Sequence, residues 1–388
     1  MVSIKEALEI IHAQQPVLNK IELYVEDALG YCLAADIKAP FDIPSFDNSA
    51  MDGYALCGNY QTYSIVGEVA AGSSMLFQLK ERETVRIFTG GKVPDNSFAV
   101  VMQEKTSVED GILSINEQIK EGQNIRIKGV ELKEDQLVFI KGHLIDPATI
   151  GLLASLGISK VAVFKKPIVR VITTGNELVE LHEERKLGQI FESNSYTLQA
   201  ALRSFGFNVA EKIRVADDHE ATKSAISKML SKSDLILLSG GISVGDYDYV
   251  YQALKENGVE ELYYKVFQKP GKPLFFGKKN NTYVFALPGN PASSLICFYI
   301  HVLPFLQKIT GALETGLTEV ELPLLEDFNF QSDRPTFLKA VVKDGKTKIL
   351  DKQMSSMLHS LAVGNALVFL DKAETLKTGD LVKCFLIK

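Results

Sequence analysis

Three segments of this chain have the residue types that bind anions, and the first is rich in glycine. Ser239–Gly245 reads Ser-Gly-Gly-Ile-Ser-Val-Gly and lies between an apolar stretch and a helical pattern. Glycines let the backbone approach a phosphate, and the N-terminus of a following helix supplies free N–H groups. The segment is neither a dinucleotide-binding Gly-x-Gly-x-x-Gly pattern nor a P-loop. It predicts phosphate binding, with an ordinary glycine-rich turn as the alternative.

The other two segments add cations and polar donors. Lys269–Pro273 reads Lys-Pro-Gly-Lys-Pro, so two prolines restrict the backbone that presents the two lysines. Leu287–Ser293 precedes a helical pattern, in which Asn290 suits the N-cap, Pro291 the first turn and Ser293 a donor position. Both segments predict contacts with an oxyanion. Solvated lysines beside a turn remain the alternative for the first.

A fourth segment, Asn48–Ala55, places Asp52 directly before Gly53. An Asp before a Gly is most often a turn residue. Taken alone, Asp52 therefore does not indicate a catalytic carboxylate.

The surrounding pattern predicts an α/β domain that brings the three anion-binding segments together. The predicted strands are Ile168–Thr173, Val209–Val215, Leu235–Leu238, Leu262–Gln268 and Tyr283–Leu287, and the predicted helices are Ser193–Phe205, His219–Lys232, Asp246–Asn257 and one from about Ala292. Strands that are apolar on both faces are typical of a mostly parallel sheet between two helical layers. Ligands of such sheets bind beyond the carboxyl ends of the strands. The polar and glycine-containing segments follow those ends.

The flanking regions predict further domains. Ile4–Ile11 has the spacing of an amphipathic helix, residues 41–130 predict a β-rich domain, and Gly142–Gly157 predicts a helix. Alternating stretches beyond Thr318 predict a small C-terminal β-domain. We therefore expect an N-terminal domain from residues 1–40 with 131–166, a β-rich domain at 41–130, an α/β domain at 167–317 and a C-terminal domain at 318–388.

Composition limits the possible functions. A net charge of −6 argues against a nucleic-acid binder, which would need a basic face. The four cysteines are far apart and form no zinc or disulfide pattern, which indicates reduced thiols. Charged residues interrupt Met1–Glu9, and the longest apolar run, Leu295–Leu306, is too short to span a bilayer. The sequence thus predicts a cytoplasmic protein without a membrane segment.

Six motifs in one order resemble the molybdopterin molybdenumtransferases, the MoeA family that also includes the C-terminal domain of gephyrin. They are Ser45–Ala55, Arg86–Gly91 with Pro94, Thr174–Leu178, Ser239–Gly245 with Asp248-Tyr249, Lys269–Pro273 and Leu287–Pro291. The resemblance implies a homodimer of four-domain subunits, with an elongated N-terminal domain and a barrel-like C-terminal domain. In that family the β-rich domain of one subunit closes over the α/β domain of its partner. The implied reaction takes adenylylated molybdopterin and molybdate and yields molybdenum cofactor and AMP.

The resemblance also implies roles for individual residues. Those matching catalytic positions are Asp52, Glu177, Asp217 and Asp248. Those matching substrate-binding positions are Thr89, Gly240, Gly241, Ser243, Pro288, Asn290 and Pro291. Those matching molybdate-binding positions are Lys269, Lys272, Ser293, Arg334 and Ser355. Carboxylates near a pyrophosphate repel it unless a cation bridges them, so Mg²⁺ is expected at Asp217 and Asp248.

Three departures and several alternatives accompany the resemblance. Asn176 stands where the family usually has Asp, Glu131 follows Val130 where the family has a Gly-Glu-Asp turn, and the usual glycine before Ser355 is absent. One alternative function is that of the adenylyltransferase of the preceding step, an enzyme that resembles the α/β domain alone. That enzyme is also expected as a partner of this chain. A gephyrin-like scaffold is a further alternative, and the sequence does not separate molybdate from tungstate.

Overall fold

The computed structural model describes residues 1–16, 18–242 and 249–387. The chain forms two compact units. The first comprises Met1–Ala35, Lys141–Ile150 and Ser159–Lys388, and the second comprises Asp36–Ile140 and Gly151–Ile158.

The chain begins with the predicted amphipathic helix, α1 (Ile4–Ala13). A capping box starts it: the Glu6 N–H donates to the Ser3 hydroxyl at 3.2 Å, and the Ser3 N–H donates to the Glu6 carboxylate at 2.7 Å. Ala7 and Ile11, one turn apart, are fully buried. Strand β1 (Lys20–Tyr24) follows.

The second unit is built mainly from short strands, as the sequence predicts. They are β2 (Ile37–Lys38), β3 (Asn48–Ser49), β4 (Gly53–Leu56), β5 (Thr62–Val69), β6 (Glu83–Ile87), β7 (Ala99–Met102), β8 (Thr106–Glu109), β9 (Ile112–Ile115), β10 (Ile125–Arg126) and β11 (Leu137–Phe139). Six of them form a sheet in the order β7-β4-β6-β5-β9-β8. Gly53 opens β4 because a Cβ there would collide with the Val101 carbonyl of β7. This packing explains the glycine after Asp52.

Helix α2 (Pro147–Ser155) is shorter than the predicted helix Gly142–Gly157. Residues before it are in extended and turn conformations. Strand β12 (Lys160–Phe164) then pairs antiparallel with β1.

The α/β region has the predicted alternation. Its strands are β13 (Val169–Thr174), β14 (Leu178–Val179), β15 (Ile190–Phe191), β16 (Val209–Val215), β17 (Leu235–Ser239), β18 (Glu260–Tyr264), β19 (Phe275–Lys279) and β20 (Thr282–Leu287). Its helices are α3 (Asn194–Ser204), α4 (His219–Leu230), α5 (Tyr249–Glu256), α6 (Pro291–Cys297) and α7 (Leu303–Ile309). The sheet order is β16-β13-β17-β20-β19-β18. The first four strands are parallel and the last two pairings are antiparallel.

Helices α6 and α7 join through a π-helical stretch, Phe298–Val302, into one helix from Pro291 to Ile309. It has 19 residues and a mean hydropathy of 1.3, enough to cross a membrane by length and composition, but 89% of it is buried inside the protein. The helix is therefore longer than the apolar run Leu295–Leu306. Its burial identifies it as a core helix.

The C-terminal region is the predicted β-domain. Its elements are β21 (Thr318–Pro323), β22 (Phe328–Phe330), β23 (Thr336–Lys343), β24 (Lys346–Ile349), α8 (His359–Val363), β25 (Ala366–Leu370), β26 (Glu374–Leu376) and β27 (Leu381–Leu386). Five strands form a sheet in the order β21-β27-β25-β23-β24. The start of β23 reaches the α/β region, where Lys269 forms a parallel bridge with Thr336.

Candidate functional site

Polar groups meet at the carboxyl edge of the parallel strands. The Thr174 hydroxyl at the end of β13 donates to the Asp217 carboxylate at 3.0 Å, and the Asp217 N–H donates to the Asn176 side-chain oxygen at 3.0 Å. A Cβ on Gly241 would lie 3.6 Å from the same carboxylate, and a Cβ on Gly240 would collide with the Thr174 carbonyl. Asp217 and the two glycines therefore lie together, and both glycines have positive φ.

Asn194, the first residue of α3, links two of the loops at this edge. Its amide donates to the Ser239 hydroxyl at 2.9 Å and to the Gly289 carbonyl at 2.7 Å. The Ser239 hydroxyl donates in turn to the Pro288 carbonyl at 3.2 Å. The glycine-containing loop after β17 is thereby held against the loop after β20.

A cavity of about 670 Å³ adjoins the second of these loops. All five residues predicted to bind molybdate line it, together with Pro288 and Asn290: they are Lys269, Lys272, Ser293, Arg334 and Ser355. Among the described lining residues, the charged ones are three cations and none is a carboxylate. Arg334 Nε lies 3.5 Å from the exposed Asp333 carboxylate, outside the cavity lining. This arrangement suits a small oxyanion.

The lysine-containing loop is fixed through its backbone. The Lys269 N–H donates to the Pro335 carbonyl, and the Phe337 N–H donates to the Lys269 carbonyl, both at 2.8 Å. A Cβ on Gly271 would collide with the Cys297 thiol of α6, and Gly271 has a φ of +88°. The loop therefore packs closely against the core helix on one side and β23 on the other.

A buried pair of side chains supports the same loop. The Gln268 amide donates to the Pro270 carbonyl at 3.1 Å, and its side-chain oxygen lies 2.8 Å from His301 Nε2. Because that oxygen can only accept, His301 carries its proton on Nε2. Burial lowers the pKa of His301 from 6.5 to about 3, so the imidazole is neutral in the folded protein.

The low pKa of His301 predicts a pH-dependent stability. Below the ordinary His pKa the unfolded chain binds a proton that the folded protein does not, so the free energy of unfolding falls with falling pH, by up to about 1.4 kcal/mol per pH unit. The effect spans pH values between the ordinary His pKa and about 3. Urea unfolding across that range should show a shallower pH dependence for His301→Gln. Equal slopes in both proteins would contradict the neutral imidazole.

The start of α6 has the predicted residues at its N-cap and first turn, but the Asn290 side chain has a different partner. Asn290 occupies the N-cap position, but its side chain makes no capping hydrogen bond. Its amide donates instead to the Ser355 hydroxyl at 3.0 Å, and the Ser293 N–H donates to the Ser355 carbonyl at 3.3 Å. Asn290 therefore takes the predicted N-cap position, but its amide holds the loop that contains Ser355 and does not cap the helix. Pro291 is in the first turn as predicted.

In the second unit, Asp52 and Thr89 form one cluster. The Thr89 N–H and hydroxyl both donate to Asp52 Oδ1 at 2.7 Å. These bonds lower the pKa of the exposed Asp52 carboxyl, and the Arg86 guanidinium adds to the effect. Arg86 is itself placed 5.1 Å from the ring centres of Tyr54 and Phe88. The cluster presents an ionised carboxylate beside an oriented cation.

Of the three remaining predicted residues, the structure describes only Glu177. Ser243 and Asp248 lie outside the described residues. Glu177 is exposed, and its carboxylate oxygens would lie 2.9 and 3.0 Å from a Cβ on Gly175. Within residues 1–16, 18–242 and 249–387, no group of three or more His, Cys, Asp or Glu side chains is arranged to hold a metal ion.

Sequence reasoning missed Asn194, Gln268 and His301, which position the loops. Asn194 carried a usable signal, because it is a polar residue at the start of α3, on the edge where the ligand was expected. Gln268 and His301 are 33 residues apart, so their hydrogen bond had no local pattern. The four cysteines are buried and unpaired within the described chain, in agreement with the prediction of thiols.

Three regions match known families. Residues 2–157 match the MoeA N-terminal region (domain I and II), residues 170–308 a probable molybdopterin binding domain, and residues 321–387 the MoeA C-terminal region (domain IV). The chain is 32% identical over 399 residues to the molybdopterin molybdenumtransferase of Staphylococcus epidermidis, which covers 99% of this chain and 95% of the relative. It is 36% identical over 317 residues to that of Haemophilus influenzae, covering 80% and 78%.

A solved structure is similar throughout. The molybdopterin biosynthesis MoeA protein from Pyrococcus horikoshii OT3 superposes with a TM-score of 0.85 at 29% sequence identity, covering 100% of each chain. The similarity therefore includes the regions that precede and follow the α/β domain in the chain.

Proposed function

The chain belongs to the MoeA family of molybdopterin molybdenumtransferases, and we propose that it joins molybdate to adenylylated molybdopterin with release of AMP. The observation that carries this proposal is the cation-lined cavity beside the glycine-containing edge. Both features share the loop after β20, since Pro288 and Asn290 line the cavity and a Cβ on Gly289 would lie 3.5 Å from Gly240. The two adjoining anion sites match the two substrates. The pyrophosphate of adenylylated molybdopterin suits the glycine-containing edge, and the tetrahedral molybdate suits the cavity.

The residues divide the work between these two sites. Gly240 and Gly241 let the backbone approach the pyrophosphate, with Asp217 beside them, and Pro288, Asn290 and Pro291 form the shared wall. Lys269, Lys272 and Arg334 supply the charge that holds molybdate, and Ser293 and Ser355 supply donors. The proposed active site also includes Asp52, Thr89 and Glu177. Its last two proposed members, Ser243 and Asp248, lie outside the described residues.

The described residues fit Mg²⁺ only as an ion shared with the substrate. Asp217 Oδ1 accepts from Thr174, and the Asn176 oxygen accepts from the Asp217 N–H, so neither is wholly free. Mg²⁺ commonly uses one or two carboxylates together with substrate phosphates. Asp217 supplies one such carboxylate, and Asp248, outside the described residues, is the second proposed ligand. When bound, the ion would neutralise charge on the pyrophosphate.

Chelation tests the proposed Mg²⁺. We expect EDTA to stop molybdate-dependent AMP release, because Asp217 would then repel the pyrophosphate, and added Mg²⁺ to restore the full rate. AMP can be quantified chromatographically after each addition. Undiminished release in EDTA would remove the metal from the scheme.

The activity itself is tested with the purified full-length chain. Incubation with adenylylated molybdopterin, Mg²⁺ and molybdate should yield AMP and a cofactor that reconstitutes a molybdoenzyme. Replacing molybdate by tungstate measures the preference between these oxyanions. Failure to release AMP above a molybdate-free control would overturn the proposal.

The adenylyltransferase-like and scaffold-only alternatives are not favoured. The family match extends through the N-terminal and C-terminal regions, which an enzyme resembling the α/β domain alone does not need. We further propose a cytoplasmic homodimer with no nucleic-acid or membrane partner. We also propose that an adenylyltransferase of the same pathway supplies the substrate and contacts this protein. The division into four domains likewise stays a proposal.

A further inference from the structure

A lysine is buried in the strand whose neighbouring residues Phe337 and Leu338 line the cavity. Lys339, in the middle of β23, is 2% exposed. Its ammonium donates to the carbonyls of Lys352 at 2.9 Å, Met354 at 3.0 Å and Met357 at 3.1 Å. No carboxylate among the described residues forms an ion pair with it. Three donors are all that an ammonium has, so this group is fully used by one loop.

The same loop is tied to the backbone of Lys339. The Lys339 N–H donates to the Gln353 side-chain oxygen, and the Gln353 amide donates to the Lys339 carbonyl, both at 2.9 Å. Side chain and main chain of one residue therefore fix residues 352–357, which we call the serine loop because it contains Ser355 and Ser356.

The serine loop forms one wall of the oxyanion cavity. Gln353, Met354 and Ser355 line it, and Ser355 is bonded to Asn290 and to the Ser293 N–H. The start of β23 holds another part of the wall, because Lys269 pairs with the backbone of Pro335 and Phe337. One strand thus sets the distance between the lysine-containing loop and Ser355.

We propose that Lys339 is a positioning residue of the oxyanion site, which holds Ser355 on the cavity wall through the serine loop. The proposal rests on the molybdate-binding role proposed above. The ammonium suits this loop because its three donors match the three carbonyls, whereas a neutral side chain has at most two. Lys339 touches no substrate and acts through Ser355.

Lys339→Met tests this role, because it keeps the unbranched side chain and removes the charge and the three donors. We expect the molybdate concentration for half-maximal AMP release to rise about tenfold, with the rate at saturating molybdate changed by less than about twofold. Lys348→Met, on the neighbouring strand β24 with an exposed ion pair to Glu326, is the matched control and should behave like wild type.

A double-mutant comparison separates positioning from general stability. If Lys339 acts through Ser355, Lys339→Met should add little to the molybdate requirement of Ser355→Ala, but should multiply that of Lys272→Ala. A general loss of stability would multiply both equally. Independent effects of Lys339 and Ser355 would overturn the proposal.

A second variant covers failure of Lys339→Met to fold, which urea unfolding reveals. Gln353→Ala removes the other tether and keeps the ammonium, and is expected to raise the molybdate requirement in the same direction. An unchanged requirement in a folded variant of either kind would reject the positioning role. A wild-type protein that releases no AMP would instead reject the proposed function.

Discussion

Replacing Lys272 or Arg334 by alanine is expected to raise the molybdate concentration for half-maximal AMP release by about ten- to a hundredfold. A hydrogen bond to a charged group contributes about 1.5–3 kcal/mol, and these two residues are among the three cations that line the cavity. The pyrophosphate is held at the adjoining glycine-containing edge in our proposal. The half-saturating concentration of adenylylated molybdopterin should therefore change little.

Two lysines outside the cavity provide controls for this measurement. Lys278 of β19 lies 3.7 Å from Glu260, and Lys348 of β24 lies 3.3 Å from Glu326; neither lysine lines the cavity. Exposed ion pairs contribute about 0–1 kcal/mol, so alanine at either position should leave both half-saturating concentrations unchanged. If excess molybdate does not restore the rate of the Lys272 or Arg334 variant, that residue has a role other than holding the oxyanion.

The strands of the parallel sheet could be predicted closely from the sequence. The predicted strand Val209–Val215 coincides with β16, and Leu235–Leu238 differs from β17 by one residue. β17 is buried along its whole length. A strand that is covered on both faces leaves a continuous apolar stretch, which marks its position without any knowledge of its partners.

The antiparallel edge of that sheet could not be predicted as well. Strand β19 (Phe275–Lys279) was missed, and the predicted strand Leu262–Gln268 begins two residues and ends four residues later than β18. β19 ends in two lysines, and it forms a hairpin with β20 through Asn280, which has a φ of +54°. Its identity depends on pairing with β20, and the Asn-Asn turn was the available local signal.

The sequence predicts which loops form the site, but not how these loops are arranged around one cavity. The lysine-containing loop, the start of α6 and Arg334 were recognised from local composition or family resemblance. Their common cavity depends on β23, whose start pairs with Lys269 and whose centre holds the serine loop. Lys339 donates to residues 13 to 18 positions later in the chain, so no local pattern reveals that its ammonium is buried and bonded.

The active site is expected to be shared between two subunits, which predicts that two inactive variants restore each other. Asp52→Ala and Asp217→Ala should each abolish AMP release as pure proteins, because each removes a proposed active-site carboxylate. Asp52 belongs to the second unit and Asp217 to the first. In the proposed homodimer, the β-rich domain of one subunit completes the α/β site of its partner.

Symmetry fixes the expected amount of recovery. A mixed dimer has one site with both carboxylates and one site that lacks both. Random mixing makes about half of the dimers mixed, so about a quarter of the wild-type sites should return. The two variants would be unfolded and refolded together, the mixed dimers counted by native mass spectrometry, and AMP release measured per dimer.

A matched pair of variants within one unit gives the control. Asp52 and Thr89 are hydrogen-bonded to each other, so Asp52→Ala and Thr89→Val damage the same half of the site. Every site in their mixed dimer carries one damaged half, and no recovery above the two parent variants is expected. A site built within one chain would give no recovery for Asp52 and Asp217 either. Confirmed mixed dimers of that pair without AMP release would therefore reject the shared site.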